Sequence, residues 1–220
     1  MSNMTRHLKR QKVPTNWPIS RKGTKYVVRP RFGLEKGVPL LVFVRDMLKI
    51  AQNKKEVKRA IQLNNIIVNG VAAKDEKQCV QLFDKVSFIP SKKHFKLSIS
   101  STGKFKAEEI KEKQANQKVA KIINKTMLKG KKMQLNLSDG RNYISDIKCN
   151  VNDSVSIDFK KKKINKCLAL EKGAKVVVVT GKHAGERGKV KEVDKKSKTA
   201  LLNVDGSELN ILIKQIMVTD

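Results

Sequence analysis

Apolar residues recur at three- and four-residue spacing from Val38 to Ala51. Leu40, Leu41, Val44, Met47, Leu48 and Ala51 make the stripe, and Arg45, Asp46 and Lys49 fall off it, which predicts a helix. Asn53 then stands as an N-cap with Glu56 three residues on, the capping-box pattern. Val57, Ala60 and Ile61 give a second, shorter helix its apolar side. Its other side carries Lys54, Lys55, Lys58 and Arg59. Asn64 sits where a helix end needs a left-handed residue, which Asn tolerates. Ile66-Ile67-Val68 reads as a short strand, Asn69-Gly70 as a tight hairpin turn, and Val86 to Ile89 as a returning strand.

Near the C-terminus the period changes from helical to extended. Lys175 to Thr180 contains four consecutive valines, a β-branched run suited to a strand. Gly181, Gly185 and Gly188 follow, then Val190 and Val193, a lysine-rich turn at Lys195 to Lys198, and a strand from Leu201 to Val204. Asp205-Gly206 is another hairpin signal, leading to strands at Leu209 to Ile213 and Ile216 to Val218. Short strands so closely spaced predict a small SH3-like barrel. Residues 91–172 are less regular. Ala107 to Ala115 predicts a charged helix, Met133 to Ile144 a hairpin about Asp139-Gly140, and Val155 to Phe159 with Ile164 to Leu170 two strands joined by Lys160, Lys161, Lys162 and Lys163.

Charge changes the picture most. The 220 residues hold 49 Lys and Arg against 20 Asp and Glu, a net of +29. Such a chain repels itself unless an anion lies beside it, and nucleic acid is the usual one. The excess is uneven: residues 1–37 carry +9, 38–90 +4, 91–172 +13 and 173–220 +3. Residues 1–37 also contain Pro14, Pro18 and Pro30 with little apolar periodicity, so they cannot order themselves alone. Lysine far outnumbers arginine, which favours neutralisation of a phosphate backbone over bidentate reading of bases. No run approaches the ~20 apolar residues of a membrane-spanning helix, and no apolar segment follows the basic N-terminus as in a signal peptide. The cysteines, Cys79, Cys149 and Cys167, are odd in number and far apart, unlike a disulfide framework or a zinc site.

The glycine loop is not a nucleotide-binding P-loop. Ending at Gly188-Lys189, that motif needs Gly at 183 and Ser or Thr at 190, where this chain has His183 and Val190. Val179-Thr180-Gly181-Lys182, with Gly185, Gly188 and Val190, resembles instead the KOW motif of ribosomal proteins and transcription elongation factors. Glycines there permit backbone conformations that other residues resist, so amides can approach phosphates, and Lys182 and Arg187 add charge. His183 reads as a polar contact rather than a catalyst.

The run from Arg45 to Gly70 resembles the RNA-binding domain named after bacterial ribosomal protein S-four. Lys54-Lys55-Glu56 occupy its basic-basic-acidic positions and Ile66 to Gly70 its strand and turn. The resemblance implies that Lys54, Lys55, Lys58 and Arg59 face RNA phosphates. Two departures stand out: Lys for the commoner Arg, and Asn64 where Gly is usual. Over almost the whole chain, collinear motifs resemble the eukaryotic and archaeal small-subunit ribosomal protein of the S-four-e type. They are His7-Leu8-Lys9-Arg10, Pro14, Trp17, Arg21-Lys22-Gly23, Arg29-Pro30, Pro39-Leu40, Arg45-Asp46 with Leu48, and Val151-Asn152-Asp153-Ser154-Val155 through Asp158. Family members usually continue a few tens of residues past the barrel, so the chain is expected to be shortened after Asp220.

The expected architecture is α+β and multidomain. It has a basic N-terminal extension (1–37), an S-four-like α/β RNA-binding domain (38–97), a central mainly-β domain (98–172) and a C-terminal KOW, SH3-like barrel (173–220). The implied function is a non-enzymatic structural constituent of the small ribosomal subunit, without a cofactor, membrane or small-molecule substrate. Its partners are small-subunit rRNA and neighbouring ribosomal proteins, on the cytosolic ribosome, with nucleolar assembly if the source is eukaryotic. RNA contact is expected at His7, Lys9, Arg10, Lys12, Trp17, Arg21, Lys22, Arg29, Arg31, the α-helical cations, Lys160 to Lys163, and Gly181, Lys182, His183, Gly185, Arg187 and Gly188. Trp17 is implied as an anchor of the extension, either stacked on a base or packed on protein. An RNA-modifying enzyme is the rival reading, since S-four-like domains also occur fused to pseudouridine synthases. Residues 91–172 are too few for that catalytic domain, and Asp139, Asp146, Asp153 and Asp158 carry no accompanying motif. An assembly or transcription factor using the barrel is a third reading; it predicts transient association.

Overall fold

The structure, a computed structural model, describes residues 7–145, 147–194, 196–204 and 206–219. Asp146, Lys195, Asp205 and Asp220 of the sequence reading lie outside those residues. The chain forms two compact units. One takes the residues up to Ile99 with Lys104–Asn116; the other takes Ser100–Gly103 and the chain from Gln117 onward. Strands dominate and helices are few. Among the described residues, no helix is long and apolar enough to cross a membrane.

The first unit begins with β1 (Leu8–Lys9) and β2 (Tyr26–Val27), which pair antiparallel, then β3 (Gly37–Pro39). Helix α1 (Leu40–Val42) runs into a wider turn over Phe43–Met47, and α2 spans Lys54–Gln62. Next come β4 (Ile66–Val68), β5 (Val71–Ala72), β6 (Cys79–Gln81), β7 (Lys85–Phe88), β8 (Lys93–Ile99) and β9 (Phe105–Ile110). The main sheet has the order β5-β4-β7-β8-β9, while β3 pairs with β6.

The helix expected over 38–51 is trimmed at both ends. Val38 and Pro39 are extended against Val80 and Cys79, and Pro39, lacking an N–H, precedes the first helical turn without loss. At the other end Leu48 N–H donates to the Phe43 carbonyl at 3.1 Å, a wide turn, and Lys49 enters the left-handed region at φ 56°. The cap of α2 forms as its sequence dictates. Asn53 Oδ1 accepts from Glu56 N–H at 3.1 Å, and Glu56 Oε2 accepts from Gln52 N–H at 2.7 Å, one residue earlier than the capping-box donor. At its C-terminus Asn64 has φ 55°, and Asn65 N–H donates to Ala60 O while Asn64 N–H donates to Ile61 O, a Schellman closure. Asn69 (φ 52°) and Gly70 (φ 77°) make the two-residue turn between β4 and β5.

The charged helix expected over 107–115 does not form. Residues 105–110 are strand β9, and only Glu112–Ala115 (α3) makes a helical turn. Pairing decides this: Phe105 and Ala107 pack on the core, and Glu108 stands opposite Lys96 across the ladder. Nor is residues 1–37 a segment apart from the core. Leu8 and Trp17 are 6% and 2% exposed within the same cluster as Val38, Leu41 and Val57.

The second unit holds two sheets. The first comprises β10 (Gln117–Met127), β11 (Met133–Leu137), β12 (Asn142–Ile144), β13 (Ser154–Asp158) and β14 (Lys163–Leu168), ordered β12-β11-β10-β13-β14. Its core gathers Ile122, Leu135, Leu137, Val155 and Ile157. The long central strand β10 bulges between Ile122 and Asn124, which broke the alternation the sequence reading needed to find it. The second sheet comprises β15 (Lys175–Val178), β16 (Arg187–Asp194), β17 (Thr199–Val204), β18 (Ser207–Leu212) and β19 (Ile216–Val218), ordered β18-β17-β16-β15-β19. Val176, Val178, Val190, Leu202, Ile211 and Ile216 fill its core.

Candidate nucleic-acid interface

Helix α2 presents its cations as a consequence of burying Val57 and Ile61, each contributing roughly 1.5–3 kcal/mol when fully buried. With those on the core, Lys54, Lys55, Lys58 and Arg59 are all exposed. They are not equivalent. Glu76, itself 7% exposed, takes Lys54 Nζ at 3.1 Å and Lys58 Nζ at 3.8 Å on one oxygen. Lys55 and Arg59 lie further round the helix.

In the glycine loop, Gly181 and Gly185 both take φ 98°, a conformation that favours glycine. Gly188 differs from the expectation. It lies in β16 opposite Val176, and an added Cβ would come within 2.4 Å of the Asn203 carbonyl oxygen, so it is there for close strand packing. Lys182 and Arg187 are exposed, and His183 Nδ1 lies 3.1 Å from Glu186 Oε1. The lysine run forms the β13–β14 turn: Lys160, Lys161, Lys162 and Lys163 are exposed, and Asp158 Oδ1 accepts the Lys160 and Lys161 N–H groups at 2.8 and 3.3 Å. The Lys161 N–H contributes most to holding the Asp158 carboxyl below its usual range.

The N-terminal residues divide by exposure. Lys9, Lys12, Arg21 and Lys22 face solvent, and His7 lies edge-on to Tyr26 at 5.4 Å. Arg31 pairs with Asp75 at 2.8 Å, and Arg29 is half-buried. Arg10 is a brace. Its Nε donates to Thr24 O at 2.7 Å, Nη1 to Ser20 O at 2.7 Å and Nη2 to Thr24 Oγ1 at 2.8 Å, tying the 20–24 loop together. Burial of Trp17 fits the second of its two readings, packing on protein.

Among the described residues Lys85, Lys118 and Lys121 are buried, which composition did not single out. Lys118 Nζ meets Asp139 Oδ2 at 2.9 Å, with side chains 2% and 6% exposed. Burial pushes the Asp139 carboxyl up, but the Lys118 charge and hydrogen bonds outweigh it and hold the carboxyl below its usual range. Lys121 Nζ donates to the carbonyls of Ile213 and Ile216, and burial lowers its pKa to about 8. Lys85 is likewise lowered to about 8, by burial and then by Lys96. Cys149 and Cys167, distant in sequence, come together; burial first, then Cys149, pushes the Cys167 thiol up to about 12. Among the described residues no group of three or more His, Cys, Asp or Glu is placed to hold a metal.

A β-rich chain with exposed cations on a helix face, a lysine hairpin and a glycine loop has the surface of a nucleic-acid-associated protein. Comparison with known families and proteins narrows the class to ribosomal proteins. The model described as "Ribosomal family S4e" matches residues 91–164, the RS4NT (NUC023) domain residues 4–33, and the KOW motif residues 172–203. Small ribosomal subunit protein eS4 of Methanocella arvoryzae is 39% identical over 190 residues, covering 85% of this chain and 80% of that protein. The protein of the same name from Methanosphaera stadtmanae is 33% identical over 227 residues, covering 99% and 94%. The crystal structure of the 30S ribosomal protein S4e from Thermoplasma acidophilum shares the fold, with a TM-score of 0.71 at 21% identity over 84% of this chain and 95% of that one. The chain belongs to the ribosomal S4e family.

Proposed function

We propose that this protein is a structural, non-enzymatic constituent of the small ribosomal subunit that binds rRNA and neighbouring ribosomal proteins on the cytosolic ribosome. The observation that carries the reading is the near full-length similarity to proteins named as small-subunit eS4. Supporting it, the +29 charge demands a polyanion, and exposed cations lie on the N-terminal segment and α2 of one unit and on the β13–β14 turn and glycine loop of the other. Residues 1–37 act as the basic extension, 38–97 as the S-four-like domain, 98–172 as the central β domain, and 173–220 as an SH3-like barrel carrying the KOW loop. If the source is eukaryotic, assembly takes place in the nucleolus.

The RNA contacts fall to Lys9, Lys12, Arg21 and Lys22, to Lys55 and Arg59 with Lys54 and Lys58 beside them, to Lys160 through Lys163, and to Lys182 and Arg187. His7, Arg29, Arg31, His183 and the loop backbone at Gly181 and Gly185 supply the rest. Arg10, Trp17 and Gly188 serve by holding that surface in shape. Binding measured on small-subunit rRNA across a salt series tests this. The affinity falls steeply and linearly on logarithmic axes if phosphate contacts dominate. A salt-independent affinity would overturn the reading.

A further inference from the structure

Of the chain's one Trp, two Tyr and seven Phe, only Tyr26 and Phe32 are more than half exposed, at 51% and 57%. Both lie within the basic residues 1–37. The surroundings of Tyr26 are well defined. Strands β1 and β2 set Lys9 opposite Tyr26 and Leu8 opposite Val27, and residues directly opposed in a ladder share a face. Leu8 is buried in the core with Val27 packed against it, so Lys9 and Tyr26 point to solvent. The His7 ring lies edge-on to the phenol at 5.4 Å, and Lys25 Nζ stands 5.6 Å from its centroid. His7, Lys9 and Lys25 are themselves exposed. The strand beneath is fixed by the Arg10 brace: Arg10 Nη2 donates to Thr24 Oγ1 at 2.8 Å, and Thr24 Oγ1 donates to the Tyr26 carbonyl at 3.1 Å.

An aromatic ring held open to solvent among cations suits a partner that is flat and anionic at once. We infer that Tyr26 is a stacking platform for one unpaired base of rRNA, with Lys9 and Lys25 taking the adjoining phosphates. Every base has a π-face, so such a platform accepts any of them, and unpaired nucleotides are the ones whose bases are free to stack on protein. The Lys25 ammonium sits near the outer limit of a cation–π contact, on a flexible stem, so it yields the ring to a base at little cost. Leu8 and Val27 make the ribbon's contacts with the core, which leaves the Tyr26 ring available for a partner. The inference rests on the rRNA-binding reading and deepens it: the lysine-rich surfaces need only backbone charge, whereas this ring needs a base.

Base and phosphate contacts separate when small-subunit rRNA is compared with inorganic polyphosphate, a polyanion without bases. In the full chain, Tyr26→Ala should weaken rRNA binding by about fivefold or more, as for one lost stack, and leave the slope of its salt dependence unchanged. The same variant should keep polyphosphate binding within about twofold, and Tyr26→Phe, which retains the ring, should keep rRNA binding within about twofold. Ultraviolet crosslinking of the unsubstituted chain to rRNA, mapped by mass spectrometry, should join a nucleotide to Tyr26; this readout decides if Tyr26→Ala fails to fold. An rRNA affinity unmoved by Tyr26→Ala would overturn the inference. So would a Tyr26→Phe loss as large as that of alanine, an equal loss on polyphosphate from a folded variant, or crosslinks confined to other residues. Failure of the unsubstituted chain to bind rRNA at all would instead contradict the broader function, so the two failures are distinguishable.

Discussion

Asn69 Nδ2 donates to Asp84 Oδ1 at 2.8 Å, and both side chains are buried. The same amide's Oδ1 accepts the Lys85 N–H at 2.9 Å, and Asp84 Oδ2 accepts the Gln81 N–H at 2.7 Å. Asn69 therefore does two jobs: it takes the positive φ of the turn, and it pins that turn to the start of β7. Turn chemistry alone would make Asn69→Gly harmless, since glycine suits the same geometry. The structure predicts otherwise. Asn69→Gly removes the buried hydrogen bond to Asp84 and the acceptor of the Lys85 N–H, and should destabilise the protein by about 1–3 kcal/mol in urea unfolding.

The Lys118–Asp139 pair ties β10 to the turn after β11. Lys118→Met removes the nearer of the two cations beside buried Asp139, leaving Arg141 Nε at 4.0 Å; breaking a buried pair from one side costs roughly 3–5 kcal/mol, and Arg141 places the cost toward the lower figure. The lowered Asp139 pKa also fixes a sign. Its contribution to stability is present above the unfolded value of about 3.9 and is lost as pH falls through the lower folded value. Unfolding midpoints measured from pH 5 downward should converge for the wild-type protein and Asp139→Asn.

Lys121 and Lys85 give the same sign in an alkaline window. Each binds its proton less tightly when folded, at about 8 against 10.5, so the unfolded chain holds more protons between those values. Stability then rises as pH increases from 8 toward 10.5. Lys121→Met removes its share of the slope and leaves that of Lys85, while removing the ammonium donor to the carbonyls of Ile213 and Ile216. Urea midpoints at pH 7.5 and 9.5 should show a smaller rise in the variant and a lower midpoint at 7.5.

On α2 the two pairs of cations separate experimentally. Lys54 and Lys58 share Glu76, whereas Lys55 and Arg59 lie beyond its ion pairs. Lys55→Ala with Arg59→Ala should weaken rRNA binding more than Lys54→Ala with Lys58→Ala. It should also reduce the salt slope by about 1.4–1.8, the value for two lost phosphate contacts. Filter binding across a salt series reads both.

Elements with a local cause were legible in the sequence. The Asn53 cap, the left-handed Asn64, the Asn69-Gly70 turn, the valine strand and the β13–β14 lysine hairpin each depend on residues within a few positions of one another. Elements decided by partners were not. Residues 105–110 carry a charge pattern that suits a helix, and only pairing with β8 makes them a strand. Strand β10 hid behind its bulge. The exposed cations were legible because a helix that buries Val57 and Ile61 must expose the residues between them. The buried lysines and the Arg10 brace had no local sign, since their partners lie across the sheets or, for Arg10, across a loop.

The central claim is membership of the small subunit, and sedimentation tests it most directly. Small subunits from cells expressing the tagged chain, separated on sucrose gradients at moderate and high salt, should carry it in one-to-one ratio with other small-subunit proteins by quantitative mass spectrometry. Recovery in free or precursor fractions alone, with none in mature subunits, would contradict the account.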